Sequence, residues 1–139
     1  MSQKKGKEMK AVCLGAVLAA ALAGTAAAQT YPGNRPIKLV VPFSAGGNAD
    51  LTARLIAKQL AGGLKTPVIV ENRAGANGTV GLDAVRQAAP DGHTLLVSPS
   101  SPLVVNPVLY KKLPYDSLKD FEPISQILAY QYVLVVPAD

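Results

Sequence analysis

The sequence predicts an α/β fold in which strands and helices alternate in the order βαβαβ around a small parallel sheet. Three apolar runs rich in β-branched residues begin near residues 37, 68 and 94, and this spacing of 26 to 31 residues fits one βαβ unit each. The segments between them carry small apolar side chains at helical spacing. Right-handed crossovers make such strands parallel and put the three strand-to-helix loops on one edge of the sheet.

The first cycle is a buried strand, a loop and an amphipathic helix. Residues 37–43 form the predicted strand, and residues 44–50 form a loop that contains a glycine pair. Residues 51–60 form the predicted helix, which we expect Gly62 and Gly63 to end. The side chains expected to face the sheet are those of Ala53, Ile56, Ala57 and Leu60.

The second cycle repeats this order and leads into a third strand. Residues 68–70 form the second predicted strand, residues 71–78 a polar loop, and residues 79–89 the second helix. After a Pro-Asp-Gly turn, residues 94–97 form the third strand, and residues 98–102 form a loop rich in Ser and Pro. The predicted inner stripe of the second helix consists of Val80, Ala84, Val85 and Ala88.

The rest of the chain departs from this alternation. Asn106 and Pro107 are typical of an N-cap followed by proline at the first helical position, and they predict a short helical turn through Tyr110. Residues 124–128 and 132–136 are typical of two further strands. Because nothing is left to cover these apolar strands, we expect the domain to be incomplete.

The first residues have the pattern of a secretory signal peptide. A basic segment with Lys4, Lys5, Lys7 and Lys10 precedes residues 11–24, which are uncharged, and an Ala-x-Ala ending predicts cleavage after Ala28. A membrane anchor is the alternative, but the apolar run is short for a span. Cys13 lies at the beginning of that run, whereas a lipid-modified cysteine is expected at its end.

The formal charge of +5 belongs mostly to this predicted signal peptide. Four of the 14 basic residues and one of the 9 acidic residues lie in residues 1–28, so residues 29–139 carry 10 basic and 8 acidic residues. This balance does not favour nucleic acid as a partner. Residues 29–139 contain no Cys, which excludes a disulfide framework, and their length fits one domain.

The three loops after the strands are the candidate binding site. Glycines in the first loop let a ligand approach the backbone, and the N–H groups at the start of the next helix suit a carboxylate or a phosphate. The alternative is an ordinary tight turn, since neither a dinucleotide fingerprint nor a P-loop is present. The candidate ligand-binding residues are Ser44, Ala45, Gly46, Gly47, Asp50, Ala74, Gly75, Asn77, Gly78, Ser98, Ser100 and Ser101.

Several of these side chains have a structural alternative, and catalysis finds little support. Arg73 can pair with a ligand carboxylate or with a neighbouring acidic residue, and the three Ser hydroxyls can bind a ligand or satisfy loop backbone. His93 follows a turn at the opposite edge of the sheet, where a solvated turn residue is the simpler interpretation. No hydrolase elbow, His-Glu-x-x-His motif or Cys pair occurs, so no catalytic residue, metal or cofactor is predicted.

Five ordered motifs in residues 29–139 resemble the Bug family, the extracytoplasmic solute receptors of tripartite tricarboxylate transporters. Together they extend over nearly all of this segment, and in combination they are specific although each alone is weak. The motifs are Tyr31-Pro32 with residues 36–47, residues 70–78, residues 89–96, residues 106–110, and Leu113–Asp116 with Asp120-Phe121.

The resemblance implies a two-lobed, type II-like periplasmic binding protein that closes on a small di- or tricarboxylate and delivers it to membrane permease subunits. In that family the first-lobe loops hold a carboxylate through backbone N–H groups and ordered waters. Carried onto this sequence, that role falls on Ala45, Gly46 and Gly47, with Asp50 opening the helix. Residues 74–78 and 98–101 correspond to the second and third loops.

The resemblance also sets an expectation for the domains. Family members continue for well over a hundred further residues, so residues 29–139 correspond to the N-terminal part of the first lobe, and the second lobe is absent. A truncated product without function is one alternative. A secreted nucleotide-binding or enzyme domain is another, since a doubly wound sheet does not fix function.

Overall fold

A computed structural model of the chain describes residues 31–131 and 133–137. The predicted signal peptide, residues 1–28, lies outside the described residues. Among the residues described, none of the helices combines the length and apolar character needed to cross a bilayer.

Three parallel strands form the sheet, as the sequence predicts. They are β1 (Ile37–Val41), β2 (Val68–Asn72) and β3 (Thr94–Leu96), and β1 lies in the middle. Leu39 of β1 is in register with Val70 of β2 on one side and with Leu95 of β3 on the other. The parallel βαβαβ order predicted from the strand spacing is therefore confirmed.

In the described residues, two longer helices and two short ones connect and follow the strands. They are α1 (Asn48–Leu64), α2 (Thr79–Arg86), α3 (Ser101–Val104) and α4 (Asn106–Leu109), and a 3₁₀ turn over Ala76–Gly78 precedes α2. The chain moves from β1 to β2 in one direction and from β2 back past β1 to β3 in the other. Right-handed crossovers therefore place α1 and α2 on opposite faces of the sheet.

The main core lies between β1 and α1. Ala53 and Ala57 of α1 are buried against β1, and Ile56 packs beside them, as the helical spacing predicts. The β1 side chains of this core are every second residue of the strand, because successive side chains point to opposite faces. They are Ile37, Leu39 and Val41.

The predicted end of α1 is wrong. The helix continues through Gly62 and Gly63 to Leu64, and it ends at Lys65, whose φ of 52° is left-handed. Thr66 precedes Pro67 and is thereby restricted to extended backbone, so the helix has to stop just before it. The buried Thr66 hydroxyl also donates to the Arg35 carbonyl at 3.1 Å, which fixes the start of β2.

The predicted inner stripe of α2 is also wrong, although the helix exists. Its buried residues are Gly81 and Leu82, whereas Val80 is 47% exposed, Ala84, Val85 and Ala88 are only half-buried, and the helix ends at Arg86. The cause is a very close approach of α2 to Pro42 at the end of β1. A glycine is needed on that face, and a pattern of apolar side chains does not detect it.

Two predictions for the last part of the chain are wrong. Val105, not Asn106, is the N-cap of α4, and Asn106 is a fully buried residue whose amide bonds elsewhere. The described residues in the predicted strands 124–128 and 132–136 are not in strands, and Leu134 is 95% exposed. A strand requires a hydrogen-bonded neighbour, and no described segment pairs with these residues.

The approach of α2 to Pro42 gives a testable prediction. A Cβ atom at Gly81 would lie 2.6 Å from Pro42 Cβ and 2.7 Å from Pro42 Cα, and this backbone cannot move aside cheaply. Gly81→Ala should therefore lower the free energy of unfolding by about 2 kcal/mol or more in urea titrations. Gly62→Ala is the control, since a Cβ there meets nothing within 4 Å, and it should stabilise α1 by about 0.5–1 kcal/mol. Equal stability of the two variants would contradict this packing.

Candidate functional site

The three predicted loops lie at the carboxyl edge of the sheet. We call residues 44–47, 73–78 and 98–102 the first, second and third edge loops. A Cβ placed on Gly78 would lie 2.7 Å from Pro102 Cγ and 3.5 Å from Pro42 Cβ. Gly78 therefore brings the second edge loop into contact with the third, and with the residue that leads from β1 into the first.

A buried carboxylate holds the first edge loop. Asp50, in the first turn of α1, is only 2% exposed. Its Oδ2 accepts the Gly46 N–H at 2.8 Å and Arg54 Nε at 3.0 Å, and its Oδ1 accepts Asn72 Nδ2 at 3.0 Å. Asn72 Nδ2 also donates to the Phe43 carbonyl at 3.1 Å. The hydrogen bonds to Arg54 and Gly46 hold the pKa of Asp50 at about 2.

This network changes how the first edge loop can be used. Gly46 has a φ of 84°, which favours glycine, and its N–H already donates to Asp50. Within the described part of the chain, the N–H groups of Gly47, Asn48 and Ala49 donate to no acceptor. These groups at the positive end of α1 are the ones available to an anion. Asp50 itself is committed to its three protein partners.

The second edge loop has an uncommon backbone. Four consecutive residues, from Gly75 to Gly78, have positive φ, including Ala76 at 45° and Asn77 at 50°. The Gly78 N–H donates to the Gly75 carbonyl at 2.9 Å and closes a tight turn. The Asn77 amide donates to Asn106 Oδ1 at 2.7 Å, so a protein partner already holds it.

The structural alternative for Arg73 fits its surroundings. Arg73 Nε donates to Glu71, which also pairs with Lys38 Nζ at 2.8 Å. The hydrogen bonds from Lys38 and Arg73 lower the pKa of Glu71. The Arg73 side chain, at the start of the second edge loop, is therefore engaged in an ion pair with Glu71 at the end of β2.

Ser98 and Ser100 of the third edge loop hydrogen-bond to neighbouring backbone groups. Ser98 Oγ donates to the Pro99 carbonyl at 2.9 Å, and the Ser100 carbonyl accepts the Leu103 and Val104 N–H groups at the start of α3. Ser100 is exposed and Ser101 is half-buried. In the first edge loop, Ser44, Ala45 and Gly47 are exposed, and Ala74 is exposed in the second.

The side chain of His93 lies at the opposite edge, as predicted. His93 directly precedes β3, and its ring Nδ1 lies 3.3 Å from the Pro36 carbonyl oxygen. The backbone N–H of His93 donates to Asp91 Oδ1. The residues described contain no group of His, Cys, Asp or Glu arranged to hold a metal ion.

Two shallow hollows in the described part of the chain lie away from the edge loops. A shallow hollow separates α3 and α4 from residues 113–118, with Leu103, Tyr110 and Leu118 among its walls. Another lies beside α1 and β2, next to Arg54 and Lys58. Neither includes an edge-loop residue, and the candidate site is defined by its hydrogen-bond donors.

Sequence reasoning missed three residues that shape this site. Arg54 lies four residues after Asp50, and this helical spacing could have identified the pair. Asn72 ends β2 next to the second loop, where a polar residue is a weak signal. Asn106 was predicted only as a helix N-cap, because its partner Asn77 lies 29 residues away in sequence.

The sequence is similar to one family of transporter receptors and to several of its curated relatives. The sequence profile of the tripartite tricarboxylate transporter family receptor, TctC, matches residues 52–139. A UPF0065 protein of Bordetella bronchiseptica is 43% identical over 129 residues, and the match covers 93% of this chain and 38% of that protein. Protein BugT of Bordetella pertussis is 45% identical over 120 residues, which cover 86% of this chain and 36% of BugT. The chain thus spans less than two fifths of these relatives.

Solved structures of similar proteins also match this chain over about 30% of their own length. The periplasmic binding protein BugD is 41% identical with a TM-score of 0.59, covering 65% of this chain and 30% of BugD. MatC from Rhodopseudomonas palustris with bound malate is 44% identical with a TM-score of 0.61, covering 64% and 30%. A second R. palustris protein with adipate is 31% identical with a TM-score of 0.60, covering 63% of this chain and 29% of that one.

The buried Asp50 predicts a pH dependence of stability. Because folding lowers its pKa from 3.8 to about 2, its contribution is complete above about pH 5 and is lost progressively as the pH falls toward 2. Asp50→Asn should lower stability at pH 7, and the difference from wild type should shrink below about pH 5. Urea unfolding of both proteins from pH 2 to 7 measures this, and the other carboxylates cancel in the comparison. A difference that stays constant down to pH 2 would contradict the ionised, hydrogen-bonded Asp50.

Proposed function

The chain belongs to the tripartite tricarboxylate transporter receptor family, and on this premise we propose that it is part of a solute-binding receptor for small di- or tricarboxylates. The edge loops contribute the carboxylate-binding surface in this proposal. The observation that carries it is the set of N–H groups of Gly47, Asn48 and Ala49. These groups lie at the N-terminal, positive end of α1 and have no acceptor among the described residues.

The chemistry of the first edge loop supports an anion over a neutral solute. A carboxylate over these N–H groups gains charge-assisted hydrogen bonds and the favourable field of the helix dipole. Asp50 does not oppose this strongly, because Arg54 lies 3.0 Å from its carboxylate and balances its charge. The malate-bound and adipate-bound neighbours support the same ligand class.

The proposal extends to domains, location and partners. Residues 1–28 act as a signal peptide, and residues 29–139 form the N-terminal part of the first lobe of a periplasmic receptor. Permease subunits in the membrane receive the solute. Family membership and the coverage of 38% and 36% of the relatives support these assignments.

A binding role is favoured over catalysis. The family model describes a transporter receptor, and BugD, one of the solved relatives, is a periplasmic binding protein. In the described structure the edge loops bring together backbone donors and Ser hydroxyls, while His93 lies at the other edge of the sheet. No nucleophile and base are paired at the edge loops among the residues described.

A charge substitution at Gly47 tests the proposal. Gly47 is the N-cap of α1 with φ −80° and ψ 169°, and a Cβ there meets only the Ser44 carbonyl at 3.7 Å. Both Asp and Asn are good N-caps, so Gly47→Asp and Gly47→Asn should fold equally well. They differ in one negative charge at the proposed carboxylate position.

NMR titration with malate gives the readout. Wild type should show amide shifts confined to the edge loops and the first turn of α1. A capping side chain at residue 47 can accept the Ala49 N–H in both variants, so both should bind more weakly than wild type. Gly47→Asp should bind about tenfold or more weakly than Gly47→Asn, because it adds a negative charge. Equal binding by the two variants, or shifts elsewhere in the wild type, would refute the site. The neutral diamide of malate is the ligand control and should cause no shift.

A further inference from the structure

We propose that Asn106 is a positioning residue for carboxylate binding, because it holds the second edge loop in its left-handed backbone conformation. The inference rests on the proposed carboxylate-binding function, and it concerns a residue that does not touch the ligand. Asn106 lies in α4, outside the three edge loops, and it is fully buried.

The first argument is that Asn106 forms two hydrogen bonds with Asn77. Asn77 Nδ2 donates to Asn106 Oδ1 at 2.7 Å, and Asn106 Nδ2 donates to the Asn77 carbonyl at 3.1 Å. The backbone carbonyl can only accept, so the Nδ2 end of Asn106 has to face it. The two amides are therefore matched in one orientation, and this pairing fixes both the side chain and the backbone of Asn77.

The second argument is that the backbone held in this way needs support. Asn77 has φ 50° and ψ 44°, and Ala76 beside it has φ 45°. Non-glycine residues rarely adopt this conformation, Asn more readily than Ala. Ala76 has no side-chain group that could hold itself there. The Asn77 and Asn106 pair, one residue further on, supplies side-chain hydrogen bonds that hold this turn.

The third argument is that Asn106 is itself held rigidly. Its amide also lies 3.4 Å from the Tyr115 hydroxyl, which donates to the Pro102 carbonyl at 2.5 Å. The ring of Pro102 packs against Gly78, the last residue of the turn. The turn is thus held at Asn77 by Asn106 and at Gly78 by Pro102, and Tyr115 connects the two supports.

The consequence is a preorganised set of donors. The Ala76 and Asn77 N–H groups have no acceptor in the part of the chain that the structure describes. If the turn relaxes, these N–H groups change direction, and ordering the turn again on binding reduces the affinity for the ligand. Asn106, which lies in α4 and outside the edge loops, keeps the turn ordered before the ligand binds.

The test combines affinity with local hydrogen exchange in Asn106→Ala. Loss of two hydrogen bonds should weaken malate binding about tenfold, measured per folded molecule. It should speed exchange by a similar factor at Gly78 and Thr79, whose N–H groups donate to the Gly75 and Ala76 carbonyls within the turn. Ile37→Ala is the control, since Ile37 is fully buried at the opposite end of β1. It should lower global stability but leave affinity and loop exchange near wild type.

A purely structural role for Asn106 predicts a different result. In that case Asn106→Ala and Ile37→Ala change affinity and exchange at the turn only in proportion to their loss of global stability, and this outcome overturns the proposal. Should Asn106→Ala fail to fold, Asn106→Ser is the second variant. Its single uncharged hydroxyl replaces the amide and cannot make both contacts with Asn77. Faster exchange at the turn is expected, and unchanged exchange overturns the proposal.

Hydrogen exchange separates this inference from the proposed function. A wild type that does not respond to malate contradicts the carboxylate site, while selective loosening of the turn in Asn106→Ala still supports the role of Asn106 in positioning. A wild type that binds malate, with Asn106→Ala binding equally well, contradicts the positioning role alone.

Discussion

The contact between Pro42 and Gly81 is the packing constraint on which the arrangement of the edge loops depends. Pro42 follows the central strand directly, and the backbone of Gly81 approaches it so closely that a single added carbon would overlap. This approach sets the position of α2 on the sheet. It also brings Gly78, which precedes α2, against Pro42 and Pro102, so the three loops share one packed centre.

The negative charge of Asp50 near this centre is balanced, so it does not strongly repel an anion bound at the start of α1. Asp50 lies at the start of α1, where a carboxylate is stabilised by the helix dipole, and it uses the Gly46 N–H. Its charge is balanced by Arg54 and its position is fixed by Asn72. The buried carboxylate therefore shapes the first loop, while the neighbouring N–H groups of the helix stay available.

The parts of the fold that depend on local sequence could be predicted. β1, with its continuous β-branched run, and the inner face of α1, marked by Ala53 and Ala57, have patterns set by burial on a sheet. The stripe of α2 could not be predicted, because its inward residue is Gly81 and a glycine contributes no apolar signal. The strand proposed at 132–136 failed because pairing depends on a neighbour and not on the segment itself.

The candidate site could be predicted only in part for the same reason. The position of its loops follows from the strand order, since parallel strands bring their carboxyl ends to one edge. Asp50 opens α1 as expected, and its buried network extends to Asn72, 22 residues away in sequence, which a local pattern does not show. Asn106 depends on contacts 29 residues apart, and no local pattern reports them.

The central claim is that backbone N–H groups of the edge loops hold a carboxylate. A crystal structure of the chain grown with malate tests it most directly. The account predicts a ligand carboxylate at about 2.7–3.2 Å, directly or through one water, from N–H groups within residues 47–49 and 76–77. Malate bound instead in the hollow lined by Leu103, Tyr110 and Leu118, with the edge loops empty, would contradict it.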